Sequence, residues 1–285
     1  MSALYASTRA ELLRLRRWPA LWVLLGVWIT LNVTFGYVFD YVAYRRGDAS
    51  PIGDGAPPDA LLAGLLPAAA PVTLVQGMPL FGGALVMIMG ALTVGSGYGW
   101  GTWKTVLTQG PGRGAAFGGT LVALSVFVTG LVLASALVDL GISVGIAVLE
   151  GQPVDLPAAG DAVQAVGAGL LVLGMWAAAG VLVGVLTRSP ALGVGLGLVW
   201  ALVVETLLRG VVGVLPGIAP VTDHLPGTAA GSLVGALGGV AEGTGDGTPG
   251  VLDVLGGATA TGWLVGYLVG FAVLALLLVR RRDVS

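Results

Sequence analysis

Apolar residues in this chain gather into long runs instead of recurring at helical or strand spacing. Six runs come close to the roughly 20 residues a helix needs to cross a ~30 Å hydrocarbon layer; they lie at about 18–38, 79–96, 118–149, 162–186, 191–208 and 259–279. This predicts an all-α polytopic membrane protein, one transmembrane domain over residues 1–285 with six transmembrane helices. The third run is longer than one bilayer crossing, so its helix should tilt or protrude.

The intervals between the runs are not all simple loops. Residues 1–17 place Leu4, Leu12 and Leu15 on one face while Arg9, Arg16 and Arg17 can snorkel toward headgroups, the pattern of an N-terminal amphipathic interfacial helix. After polar residues 45–59, the apolar stretch 60–75 contains Pro67 and Pro71, which argue against a full span and for a short interfacial or re-entrant piece. Residues 209–258 are glycine-rich, with apolar pieces too short to cross, and read as an outer re-entrant helical hairpin plus loop before the last span. Gly180 and Gly184, then Gly227, Gly231 and Gly235, then Gly262, Gly266 and Gly270 recur at spacing four, as close-packing faces do.

Composition agrees with a membrane location: 56% of the 285 residues are hydrophobic and only 10% charged, too few for a water-exposed surface. Charge sets the orientation. If Arg9, Arg14, Arg16, Arg17, Lys104, Arg113, Arg188, Arg280, Arg281 and Arg282 lie on one side, only Arg45, Arg46 and Arg209 of the 13 basic residues lie on the other. Basic residues are held on the cytoplasmic side, which puts both termini and the 97–117 segment there. That segment holds the only lysine, Lys104, and no acid lies between Gly95 and Leu137. The first run is too long for a signal-peptide core and is expected to be retained. With no cysteine, disulfides and thiol chemistry are excluded.

Candidate chemistry is sparse. A phosphate-binding loop ends in Gly-Lys-Ser or Gly-Lys-Thr, whereas Lys104 stands between Trp103 and Thr105. The single histidine, His224, cannot supply a two-histidine metal site and reads as a surface residue. No HExxH or GxSxG motif is present, so no catalytic, cofactor or metal site is expected in this chain. Ionisable residues in spans are functional candidates. Asp139 falls about 30 Å along its helix, where a solvated end is favoured over a substrate contact. Glu205 and Arg209, four apart, suggest an intrahelical pair at the outer interface. Asn32 begins a glycosylation sequon that a span makes unreachable. Residues 102–107 can form one or two helical turns along the membrane, with Trp103, Val106 and Leu107 available to a partner and Lys104 on the edge. An ordinary cytoplasmic connector is the alternative.

The stretch WGTWKTVLTQGPGRG, with ELLRLRRWPALW before the first span, resembles permease subunits of bacterial ABC-2 type transporters. It departs from that pattern at Gly97, where an acid is frequent, and at Gly118 and Gly119, where a lysine is frequent. The resemblance implies that Gly101, Thr102, Trp103, Lys104, Leu107, Thr108, Pro111 and Arg113 form a coupling loop against a separate ATPase subunit, with the N-terminal helix as a second contact. It further implies a multi-pass protein of the bacterial cytoplasmic membrane that exports a hydrophobic or amphiphilic substrate. Its partners would be an ABC ATPase, a second permease copy or homologue, and the lipid bilayer, with no nucleic acid. ATP and magnesium would sit in the ATPase. An ion-gradient-driven secondary transporter and a non-transporting membrane scaffold remain as alternatives.

Overall fold

The computed structural model describes residues 2–47, 57–108, 110, 112–212, 214–243 and 247–281. Helix α1 (Ala3–Arg17) begins at Ser2, whose hydroxyl accepts from the Tyr5 amide. It ends at Trp18, whose extended backbone turns the chain into Pro19 at the head of α2, a position where proline sacrifices no helical hydrogen bond. Among the described residues, six helices are long and apolar enough to cross a membrane: α2 (Pro19–Arg46), α5 (Met78–Gly99), α7 (Arg113–Leu149), α8 (Ala159–Thr187), α9 (Pro190–Val212) and α11 (Gly257–Arg281). This is the architecture of a multi-pass membrane protein.

Several helices outrun their apolar stretches. The first continues past residue 38 to Arg46 through a π-helical turn at Thr34–Val38, because its polar end is held: Tyr41 and Tyr44 donate to the Glu150 carboxylate, and Arg45 pairs with it at 3.2 Å. The 37 residues of α7 make it roughly 55 Å long at 1.5 Å per residue. It begins at Arg113, so the expected 97–117 connector is largely helical.

Helices α5 and α8 form the centre of the bundle. Glycine permits their approach: a Cβ at Gly180 would strike the Met87 carbonyl, one at Gly90 the Ala177 carbonyl, and one at Gly184 would lie 2.9 Å from the Ala91 oxygen. Backbones this close maximise dispersion contact, the main attraction between helices in lipid. Leu173 and Met175 of α8 pack there with Trp28, Phe117 and Leu264 from the surrounding helices, all nearly inaccessible.

The intervals resolve into shorter elements. Helices α3 (Pro58–Leu65) and α4 (Pro67–Gln76) meet at a 67° bend at Leu66, which is extended as residues before proline tend to be. Helix α10 (Pro226–Ala236) has only 11 residues and is followed by an irregular leg. The leg lies against the glycines of α10: a Cβ at Gly231 would meet the Gly250 carbonyl and one at Gly235 the Leu252 carbonyl. Among its described residues, Glu242 N–H donates to Val251 O, Thr248 N–H to Val240 O, and Leu255 N–H to the Ser232 hydroxyl, so these polar groups are met within the fold. The glycines at 180 and 184 and those at 227, 231 and 235 therefore do line contacts, but the last set does not. Among the described residues, no atom lies within 4 Å of where a Cβ would stand at Gly262, Gly266 or Gly270; α11 packs through Ala260, Leu264, Ala275 and Val279 instead.

Candidate functional site

At one end of the bundle the basic residues assemble. Helix α5 closes with Trp100 N–H on Ser96 O and Gly101 N–H on Tyr98 O. Gly101 is left-handed at φ +67°, which turns the chain sharply into α6 (Thr102–Thr108), the short helix expected there. Trp103, expected to be available to a partner, is instead buried. Its ring packs between Tyr98 and Phe117, and its indole N–H donates to Val94 O at 3.3 Å over the bare backbone of Gly97. Gly97, where the resembled pattern has an acid, leaves room for that ring. Val106 is half-buried, while Lys104, Thr105 and Thr108 are exposed. Trp100, not singled out from sequence, is 69% exposed beside Trp18.

Helix α1 lies along the first third of α7, where Gly118 and Gly119 let Leu4 and Ser7 approach. Arg14 ties α1 to α5: its guanidinium donates to Thr93 O at 3.0 Å and the Ser96 hydroxyl at 3.5 Å, pairs with Glu11, and stands over the Trp18 ring. Arg113 donates to Arg280 O at 3.3 Å, joining the start of α7 to the end of α11. Arg188 stands over Tyr98. A cavity of about 440 Å³ opens between α1, α5, α6 and α7, lined by Ser7, Arg14, Thr93, Trp103 and Val106 among others. Pro111 and Arg282 lie outside the described residues. Leu107 falls within α6.

The acids in the spans are placed differently from expectation. Asp139 is not a solvated helix end: it is fully buried, accepts from the Asn32 amide at 2.6 Å, and its other oxygen has no partner among the described residues. The sequence hid this because the cover comes from another span: α2 packs against this part of α7, bringing Tyr37 onto the Asp139 carbonyl and Trp28 onto Ser135. Glu205 does not form the intrahelical salt bridge. Its carboxylate accepts from the Trp200 indole at 2.9 Å and the Gly227 amide at 2.7 Å, capping α10 from another helix. Arg209 reaches Glu242 at 3.7 Å instead. Glu205 and Arg209 do share one regular helical stretch, Glu205–Val212, as the spacing requires; sequence spacing does not report the partners that other segments bring to each of them. His224 is half-buried against Trp263, with Nδ1 2.8 Å from Pro220 O. Outside the spans, the Tyr41 and Tyr44 hydroxyls and Arg45 hold the Glu150 carboxyl below the usual range.

A second cavity, about 510 Å³, lies toward the opposite end between α2, the α3–α4 bend, the start of α5 and the leg after α10. Trp28, Asn32, Phe35, Phe39, Asp40 and Phe81 are in its wall. Sequence reading missed it because its wall is assembled from segments at both ends of the chain.

Comparison with models of known protein families and with curated proteins gives no match to this chain.

Proposed function

We propose that the chain is the permease subunit of an ATP-driven transporter of the ABC-2 type in the bacterial cytoplasmic membrane, exporting a hydrophobic or amphiphilic substrate. One observation carries this reading. The N-terminal helix and the 102–108 helix, remote in sequence, meet around one cavity at the basic end, pinned by Arg14 to the carbonyl of Thr93. Lys104, Arg113, Arg188, Arg280 and Arg281 gather at the same end, which the positive-inside tendency assigns to the cytoplasm. The α1 helix then runs along the inner interface, and α10 with its returning leg is the outer re-entrant hairpin.

In this reading the ATPase, which holds ATP and magnesium, docks on the exposed edge: Lys104, Thr105, Thr108 and Trp100. Trp103 is the stem that ties that edge to α5 and α7. A push on α6 is delivered through the Trp103 ring to Gly97 and Phe117, and through Arg14 to α1, so the docked elements move as one body. The apolar outer faces of α9 and α11 receive a second permease copy or homologue.

The test is reconstitution with an ABC ATPase subunit, sought in the adjacent reading frame. Vanadate-sensitive ATP hydrolysis that falls at least tenfold with Lys104→Glu, while the chain stays folded, is the expected result; no permease-dependent hydrolysis removes the reading. A second reading, ion-gradient-driven transport, draws on the burial of Asp139 and Glu205. Substrate flux driven by a proton gradient in vesicles without ATP, abolished by Asp139→Asn, would replace the first reading with it.

A further inference from the structure

The second cavity sets a few polar groups among aromatic rings. Phe35 and Phe81 come from π-helical turns of different spans, Thr34–Val38 in α2 and Met78–Gly82 at the start of α5. Their ring planes lie 12° apart with centroids at 6.2 Å, and Phe39 stands edge-on to Phe35 at 5.1 Å. All three are more than one-third exposed, so this wall offers apolar surface that the chain itself leaves uncovered.

Asn32 is the best-held polar group of the wall. It is only 6% exposed, yet it lines the cavity. Its amide nitrogen donates to the buried Asp139 carboxylate at 2.6 Å, which fixes the direction of the amide, and among the described residues nothing donates to its oxygen. That oxygen, an acceptor with two lone pairs, is the end left for whatever enters. Half-buried Gln76 and Thr248 line the same space from α4 and from the leg after α10, and their side chains have no hydrogen-bond partner among the described residues. Each of them can donate as well as accept. Thr73 donates to Ala69 O at 3.4 Å, and Trp28 offers only its ring, since its N–H donates to Ser135 at 2.8 Å. The described lining holds no basic residue, and its one acid, Asp40, is already engaged within the chain. A charged head of either sign would therefore leave its water without a counter-charge waiting for it, a heavy cost. A neutral head bearing hydroxyl groups finds an acceptor at Asn32 and both functions at Gln76 and Thr248. The volume of about 510 Å³ suits one small amphiphile, since ordinary ligand pockets of ~300–1,000 Å³ join an apolar wall to a few placed polar groups in this way.

We propose that this cavity binds an uncharged amphiphile, a hydroxyl-bearing head on an apolar body, with the Asn32 oxygen, Gln76 and Thr248 taking the head and Phe35, Phe39 and Phe81 the body. Asp139 acts through Asn32 as a positioning residue. That the ligand is the transported cargo rests on the permease reading; the binding chemistry does not.

The test uses the full chain in phosphatidylcholine nanodiscs and a monoacylglycerol carrying a diazirine in its acyl chain, with crosslinks mapped by mass spectrometry. Labelling should fall on residues 28–40, 60–81 and 240–249. Unlabelled monoacylglycerol should displace the probe at least tenfold better than the fatty acid methyl ester of the same chain, which has no hydroxyl, and better by as much than an alkyl sulfate or alkyltrimethylammonium of equal length. Gln76→Leu and Thr248→Val should each weaken displacement by the monoacylglycerol roughly three- to tenfold while displacement by the ester holds. Asn32→Leu should do the same. Asp139→Leu, which frees the Asn32 amide to turn, should lower the preference for the monoacylglycerol over the ester without weakening the ester. Thermal unfolding of each variant separates lost binding from lost fold; should Asn32→Leu or Asp139→Leu unfold, the Gln76 and Thr248 variants supply the comparison. Equal displacement by the ester would make the cavity a plain acyl-chain groove. That outcome, better displacement by either ion, labelling spread over the lipid-facing sides of α9 and α11, or indifference to these variants overturns the proposal. Hydroxyl-selective labelling without vanadate-sensitive hydrolysis would leave the site and remove the permease reading. Coupled hydrolysis with unselective labelling would do the reverse.

Discussion

The α5–α8 pair and the outer helices α9 and α11 have similar hydropathy, yet they are used differently. In the most apolar stretch of α5 and of α8, 72% of residues are buried within the chain, against 22% in α9 and 17% in α11. Both sets are rich in glycine. In the central pair Gly90, Gly180 and Gly184 each receive another backbone, as Gly180 receives Met87, while Gly262, Gly266 and Gly270 of α11 face open space. Spacing-four glycines therefore mark a surface that permits close approach, and only the fold decides whether anything approaches it. The comparison also separates two uses of an apolar surface: the central pair holds the chain together, while the outer helices leave much of their apolar surface uncovered.

The strongest way to break this contrast is to fill the two kinds of glycine in turn. Gly180→Leu should destabilise by about 3 kcal/mol or more, since backbone must move to admit the side chain, whereas Gly266→Leu should leave protomer stability within ~0.5 kcal/mol. Thermal unfolding in detergent, followed by circular dichroism, measures both; comparable losses would show that α11 is as tightly packed as the central pair. A similar contrast holds across α6. Trp103→Ala removes a buried ring and should cost about 3–5 kcal/mol, while Lys104→Ala on the exposed edge should cost almost nothing, read by the same melts.

Next in size are the buried acids. Glu205→Ala leaves the Trp200 indole and the Gly227 amide without their acceptor, at about 1–3 kcal/mol, and hydrogen exchange should accelerate first in α10, which that carboxylate caps. Protection in α10 that does not change would mean the cap is dispensable. Asp139→Leu should cost about the same by orphaning Asn32, read as a lowered melting midpoint. Smallest is the end of α2. The Glu150 carboxyl is held low by Tyr41, Tyr44 and Arg45, so its contribution is present above the ordinary carboxylate pKa and fades as pH falls through the lowered one. The melting difference between the wild type and Glu150→Gln should therefore be largest near neutrality and vanish in acid. A difference that grows on acidification would contradict the assigned direction.

How far the residues alone disclose each feature depends on the range of the physics behind it. The six apolar runs were legible because a bilayer demands length and composition, both of which are local. Pro67 and Pro71 pointed to an interrupted stretch for the same reason, since loss of a donor and a fixed φ act within a few residues; the structure puts the break at Leu66, before Pro67. The helix at 102–108 was legible too, but not the inward turn of Trp103, which depends on Gly97 and Phe117 being there to receive it. Helix ends misled wherever a distant partner held them, as Glu150 holds the polar end of α2.

By itself, then, the order of residues determined an all-helical chain with six membrane-length helices, the clustering of basic residues in particular segments, and the small-residue surfaces that allow close approach. Only the tertiary structure decided which of those surfaces are filled, that Asp139 is enclosed by α2, that Glu205 turns to another helix instead of to Arg209, and that aromatic residues from two spans share one cavity. The reason is the same each time: hydropathy and backbone preference act over neighbouring residues, whereas burial and hydrogen-bond partners are set by segments the chain brings together from afar.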